Sequence, residues 1–182
     1  MNRKGLGVGE VFIYILAAVT FAVIMLFGYK AVNSFLESGE EVEFVQFKND
    51  LEDSILKIYS EYDAVRVKNF YVPGDYRQIC FVDFEVPYIP SCTGEVIACA
   101  AWERVSDRLA GEADDDKKAE ILATVEENVF LTPLQEHPRI KAQDIRCAEG
   151  AGICCFPIVN GRFELQLEGR GDATKVARPL VE

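Results

Sequence analysis

The sequence predicts an α+β protein: an N-terminal transmembrane helix, then an amphipathic helix packed on an antiparallel sheet of hairpins, the whole braced by disulfides. Three observations carry this. The stretch from Leu6 to Tyr29 holds a single charge, Glu10. Apolar residues at steps of three and four run from Phe44 to Tyr62. Beyond them, strand-like segments flank the turn pairs Pro73-Gly74 and Asn160-Gly161.

The first element is the apolar run. At ~1.5 Å per residue, Leu6 to Tyr29 make a helix of roughly 36 Å, enough to cross a hydrocarbon core of ~30 Å. Thr20 is the most polar residue between Val11 and Tyr29. A cleaved signal peptide would have an apolar region of ~7–15 residues ending in a small-residue site. This run is longer, Ala17-Ala18 lies in its middle, and Gly28-Tyr29-Lys30-Ala31 is a poor site, so retention in the membrane is expected. Arg3 and Lys4 precede the run, while Glu37, Glu40, Glu41 and Glu43 follow it. Basic flanks stay in the cytoplasm. Lys30 opposes this weakly. The chain is therefore read as a single-pass protein of the cell membrane, with a cytoplasmic tip and transmembrane helix over 1–37. An extracellular domain follows over 38–169, and a flexible tail over 170–182.

Ser38-Gly39-Glu40-Glu41 reads as a capping box that opens a second helix, and the Ser-Gly pair favours a bend. Phe44, Phe47, Leu51, Ile55, Ile58 and Tyr62 form its inward stripe. Ala64–Val72 and Arg77–Val86 then read as a hairpin across Pro73-Gly74. Cys80, Val82, Phe84 and Val86 share one side of its second strand. Pro87 and Pro90 end it, and Tyr88–Thr93 is a loop holding Cys92. Glu95–Leu109 leans helical, with Val96, Cys99, Ala100, Val105 and Leu109 on a broad face and Trp102 at its edge. Asp114-Asp115-Asp116 could suggest a metal cluster, but acids are favourable in a first helical turn. They are read as opening a helix over Lys117–Glu127, with Ile121, Leu122 and Val125 inward.

Val129–Leu131 reads as a short strand and Arg139–Cys147 as another. Ile153–Glu168 is the strongest hairpin signal, since Asn160-Gly161 is the favoured pair for a type I′ turn. Cys155, Pro157, Val159, Phe163, Leu165 and Leu167 alternate with polar residues around it, and Pro157 points to an edge. The tail from Gly169 reads as loose apart from Val176. It contains Arg170-Gly171-Asp172, which is similar to an integrin-recognition triplet but is also an ordinary polar turn.

The chain of 182 residues carries a net charge of −11. Arg3, Lys4 and Lys30 against Glu10 give residues 1–30 a charge of +2, which leaves −13 for the rest. Such a domain is repelled by nucleic acid and by anionic headgroups, so no nucleic-acid partner is expected. The six cysteines, Cys80, Cys92, Cys99, Cys147, Cys154 and Cys155, all fall in the predicted exterior part. An even number there reads as disulfides, with 15 possible pairings. Adjacent Cys154 and Cys155 should have separate partners, because successive residues of a strand point to opposite faces. There is no C-x-x-C, no EF-hand spacing, and the single His137 is not at finger spacing, so neither a metal nor a cofactor is expected.

The N-terminus carries a further pattern. A basic tip, Gly5, an apolar helix and Glu10 at the fifth position after that Gly resemble the type IV prepilin signature, over residues 3 to about 29. In that family a prepilin-type peptidase cuts after the Gly on the cytoplasmic side. The new N-terminal amine then pairs with the fifth-position Glu of a neighbouring subunit. The resemblance makes Gly5 and Leu6 the processing site and Glu10 the assembly residue. It implies a filament of this chain with itself or with other pilin-like subunits, drawn from membrane lipid. Leu6 stands where bacterial members usually have Phe, and Gly7 and Gly9 are poor helix formers.

Three function classes compete: a pilin-like structural subunit, a single-pass extracellular binding domain in which Glu10 is incidental, and a membrane-anchored enzyme. The enzyme class has no G-x-S-x-G, no H-E-x-x-H and no phosphate loop behind it, and His137 lacks triad partners. The expectation is a non-enzymatic, pilin-like subunit of a surface filament or secretion pseudopilus.

Overall fold

No proline occurs before Pro73, and the backbone from Val8 onward forms one helix, α1 (Val8–Tyr59). The computed structural model describes residues 8–134 and 138–179. Gly5 and Leu6, and His137, lie outside the described residues. The expected helix break at Ser38-Gly39 is absent. A mid-helix Gly costs about 1 kcal/mol against Ala, but each further helical residue adds one hydrogen bond, and Glu40, Glu41 and Glu43 are good helix formers. The chain divides into two units, one ending at Glu41 and the other running Val42–Glu182.

In the second unit, Phe44, Phe47, Leu51, Ile55 and Ile58 of α1 are buried. The stripe stops there. Tyr62, expected on it, lies beyond the helix end and is exposed. Among the described residues, seven strands follow α1: β1 (Val65–Tyr71), β2 (Gln78–Val82), β3 (Val129–Thr132), β4 (Ile145–Cys147), β5 (Ile153–Pro157), β6 (Arg162–Gly169) and β7 (Thr174–Ala177). Two helices, α2 (Val96–Ala110) and α3 (Asp115–Ala123), stand between β2 and β3. The strands form two sheets, ordered β1-β6-β7-β4 and β3-β2-β5. All pairs are antiparallel except β4 with β7.

Both expected hairpins are corrected by this topology. β1 and β2 belong to different sheets: β1 pairs with β6, while β2 pairs with β3 and β5. Asn160-Gly161 does make the tight turn, with φ of 52° and 69°, the left-handed values that a type I′ turn requires. The pairing between its arms, however, ends at the Val159–Arg162 bridge. β5 then diverges to one sheet and β6 to the other. The cause is burial. The second sheet is apolar on both faces. Ile79, Phe81, Val129, Leu131 and Phe156 pack into the main core with the α1 stripe. Cys80, Val82 and Phe130 face a second core beneath Ala98, Trp102 and Val105 of α2. A strand covered on both sides belongs in the middle of a layered structure.

The tail is also corrected. Thr174 and Val176 are fully buried, and β7 lies between β6 and β4. Trp102 is another correction, since it is buried rather than marginal. Its Nε1 donates to the Val86 carbonyl at 2.8 Å, and Tyr88 meets it edge-on at 5.3 Å. Val96, placed on the same face by sequence, is exposed. The acids at 114–116 do open α3, with Asp114 as N-cap accepting from Asp116 N. Ile121 and Leu122 are half-buried on α3, which ends at Ala123 rather than the expected Glu127, and Val125 is half-buried just beyond it.

The three disulfides brace the domain in different ways. Cys80–Cys155 links directly opposed residues of β2 and β5. Cys147–Cys154 ties β4 of one sheet to β5 of the other. Cys92–Cys99 closes a loop onto the first turn of α2. Cys154 and Cys155 therefore do take separate partners, one toward each core.

The end of α1 seats on the turn between β6 and β7. Gly171 N donates to Tyr59 O at 3.1 Å, Asp63 N to Gly169 O at 2.9 Å, and Gly169 N to Ala64 O at 2.9 Å. Thr174 Oγ1 donates to Ile55 O at 3.1 Å. A Cβ on Gly169 would lie 2.1 Å from both the Ile58 and Glu61 carbonyl oxygens. Backbone oxygens cannot swing aside as a side chain can. Gly169→Ala is therefore expected to destabilise the domain by about 1–3 kcal/mol, the usual range for overpacking, read as a lower denaturation midpoint with an unchanged m-value. A midpoint equal to wild type would show that this contact does not constrain the fold.

Candidate functional site

The candidate site begins in the apolar part of α1. Val11–Val32 is long and apolar enough to cross a membrane. The uncharged positions run from Val11 to Tyr29, 19 residues, about 29 Å of helix at ~1.5 Å each. Glu10 bounds them at one end and Lys30 at the other. The large side chains of this span, among them Phe12, Tyr14, Phe21, Leu26 and Phe27, are exposed.

Thr20 carries the hydroxyl of the stretch. It donates to Leu16 O at 3.0 Å and Ala17 O at 2.9 Å. The group is thus satisfied within the helix, which is what hydrocarbon demands of a polar atom. Gly28 has open space where a Cβ would stand. The backbone of Glu10 is in the first turns of α1.

A second cluster, which sequence reasoning missed, lies where β2 leaves its sheet. The side chain of Asp83 is buried. Its Oδ1 accepts from Glu85 N at 3.0 Å, and its own N donates to Gly152 O at 2.9 Å. Arg146, from β4, donates to Glu85 Oε2 at 3.2 Å and to Asp172 Oδ2 at 3.4 Å. The only prior signal was Asp83 standing between apolar Val82 and Phe84. Burial holds the Asp83 carboxyl above the usual carboxylate range. The Glu85 amide opposes that shift, the Glu85 carboxylate adds to it, and the Arg146 guanidinium opposes it.

The integrin-like triplet is accounted for by the same cluster. Asp172 is engaged by Arg146, and Arg170 Nη2 contacts Glu168 Oε1 at 2.8 Å. Arg170 N donates to Ala173 O at 2.9 Å, closing the β6–β7 turn. The triplet is the corner that holds the end of α1.

An open groove of about 450 Å³ lies beside α2 and α3, walled by Phe84, Pro87, Leu109 and Leu122, with Asp115 and Lys118 among its lining residues. Among the described residues no group of three or more His, Cys, Asp or Glu is placed to hold a metal ion. The six candidate cysteines are all in disulfides, so none offers a thiolate. No protein-family model matches the chain, and no characterised protein or solved structure matches it.

The raised Asp83 carboxyl has a consequence for stability. A carboxyl whose folded pKa lies above its unfolded value binds more protons in the native state. The contribution of Asp83 to stability is then greatest at acid pH and declines as pH rises from the ordinary carboxylate range through the folded pKa. Asn keeps an oxygen for the Glu85 amide and carries no charge to bury. Asp83→Asn is expected to unfold at a higher temperature than wild type at neutral pH, the gap closing as pH falls into the ordinary carboxylate range. Thermal unfolding across pH checks this. A variant less stable than wild type at neutral pH would mean that attraction to Arg146 outweighs burial.

Proposed function

We propose that this chain is a pilin-like structural subunit of a cell-surface filament or secretion pseudopilus, assembled through its N-terminal apolar helix. One observation carries the reading: a helix apolar enough to span a bilayer continues, without a break in its secondary structure, into the buried stripe Phe44–Ile58 of the following domain. Such a helix serves two solvents. Its first part is suited to lipid or to like helices, and its second part is core. A tether to a self-contained binding domain does not need that continuity, because a flexible linker would do.

In this reading Gly5 is the cleavage residue, Leu6 supplies the new amine, and Glu10 receives it from a neighbouring subunit. Two charges that are individually costly in an apolar bundle would cancel, and the pair would fix axial register. The basic Arg3 and Lys4 keep the tip cytoplasmic, and the disulfides suit an oxidising exterior for the head. The partners are membrane lipid before assembly, a prepilin-type peptidase at the cut, and copies of the chain or related subunits afterwards.

N-terminal peptide mass spectrometry on protein from its native membrane tests this. A mature chain starting at Leu6 is expected, Gly5→Val should retain Met1 or Asn2 at the N-terminus, and Glu10→Ala should be cut normally but enter filaments at a small fraction of the wild-type level. A wild-type chain that begins at Met1 or Asn2 would overturn the processing role. Normal incorporation of Glu10→Ala would overturn the pairing.

A further inference from the structure

The three disulfides are not equivalent toward an incoming thiol. Cys147–Cys154 joins the two sheets; Cys147 is buried in the main core and Cys154 is half-buried against it. In Cys80–Cys155, Cys80 is fully buried and Cys155 is half-buried. The Cys155 sulfur lies 3.4 Å from where a Cβ on Gly94 would stand, and Ile153 packs at the same spot. The chain at Gly94 therefore lies against the Cys155 sulfur.

The stretch that includes Gly94 is cross-linked to α2 by the third bridge. Cys92–Cys99 spans seven residues, from the coil after Ile89 to the first turn of α2, and both its cysteines are half-buried. Tyr88 packs on Trp102, and Tyr88 and Cys92 border the second core. Tyr88 N donates to Ser106 Oγ at 2.9 Å, and Cys92 N donates to Ile89 O at 3.2 Å. The α2 N-terminus beyond them is capped separately, by the Glu95 carboxylate on the Ile97 and Ala98 amides.

We propose that Cys92–Cys99 is the site of thiol–disulfide exchange on this domain, open to a dithiol, and that its closed loop guards Cys80–Cys155. A thiolate of the dithiol bonds to Cys92 Sγ and the Cys92–Cys99 bond breaks. The electron pair leaves on Cys99 Sγ, which takes a proton from water. The second thiol of the reagent then displaces Cys92, closing the reagent's own disulfide. The dithiol is oxidised by two electrons and the bridge is reduced by two. Once the bridge opens, the segment from Ile89 to Gly94 has lost its covalent tie to α2, and local opening uncovers the Cys155 sulfur. The order is Cys92–Cys99, then Cys80–Cys155, then Cys147–Cys154. Access and local opening set it, because exchange requires in-line approach to a sulfur. This proposal is independent of the filament reading.

The test is graded reduction of the full chain in its membrane with dithiothreitol, quenched by alkylation, with peptide mass spectrometry of each cysteine. Cys92 and Cys99 are expected to be labelled about tenfold faster than Cys80 and Cys155, with Cys147 and Cys154 slowest. A single cooperative opening, or either other bridge opening first, would overturn the assignment. The guarding is read separately in the Cys92→Ser/Cys99→Ser double variant. There Cys80–Cys155 should open about tenfold faster than in wild type while Cys147–Cys154 keeps its rate. An unchanged Cys80–Cys155 rate overturns the guarding. So does equal acceleration of Cys147–Cys154, which would report general loosening. The wild-type order stands or falls on its own data.

Discussion

The domain depends on how closely the last turn of α1 approaches the β6–β7 corner. Gly169 lets the carbonyls of Ile58 and Glu61 come within a distance that any side chain would block. The helix end then draws hydrogen bonds from the corner and from Thr174. Carbonyls at a helix C-terminus have no partners within the helix, and here the β6–β7 turn supplies one for Tyr59 through Gly171 N. Phe163 reaches the helix from the same strand, stacking on Phe70 at 5.3 Å and meeting Phe47 edge-on at 6.1 Å. Fixing one end of α1 fixes the direction of its whole apolar stripe, and the first sheet is built against that stripe.

The second sheet is organised by having two covered faces. Alternate residues of β2, β3 and β5 go to two different cores. Each residue of the Cys154-Cys155 pair is thereby sent to a different bridge. Cys147–Cys154 ties the sheets together across a sequence separation of 7, while Cys80–Cys155, with a separation of 75, is the link between distant residues that most restricts the unfolded chain. Asn128 adds a polar clamp in the same region. Its side chain accepts from Ala142 N at 2.9 Å and donates to Ala142 O at 3.0 Å, holding the strand-like segment before β4 against β3. A buried amide with both ends satisfied specifies one register, and nothing local in Glu127-Asn128-Val129 announces it.

Parts of the candidate site were legible early because they depend on composition and local order. The apolar run needs no partner to be recognised, since lipid asks only for length and a satisfied backbone. Glu10 stands out because a charge in that setting is costly. The Asp83, Glu85, Arg146 and Asp172 cluster was not legible. Its members come from three places in the chain, and only the meeting of β4, the β6–β7 turn and the end of β2 makes them neighbours. The capping-box pattern at Ser38 was misleading for a related reason. A cap motif describes what four residues can do if a helix starts there, and it does not record that a helix is already running.

The sequence by itself determined the kinds of element and their chemistry: a membrane-length apolar helix, an inward stripe from Phe44 to Ile58, a left-handed turn at Asn160-Gly161, an acid-started helix at Asp114, and a head rich in paired cysteines. These follow from periodicity, turn geometry and charge, which act over a few residues. Tertiary structure alone decided which strands pair, which bridges form, and that the C-terminal segment is a buried strand rather than a tail. A hairpin turn fixes where two strands meet at its tip. Whether they stay together depends on which faces the rest of the chain covers. Here α1 and α2 lie on opposite sides of the second sheet, so β5 goes between them and β6 goes to β1. That competition is settled by burial over the whole domain, and no short window of sequence contains it.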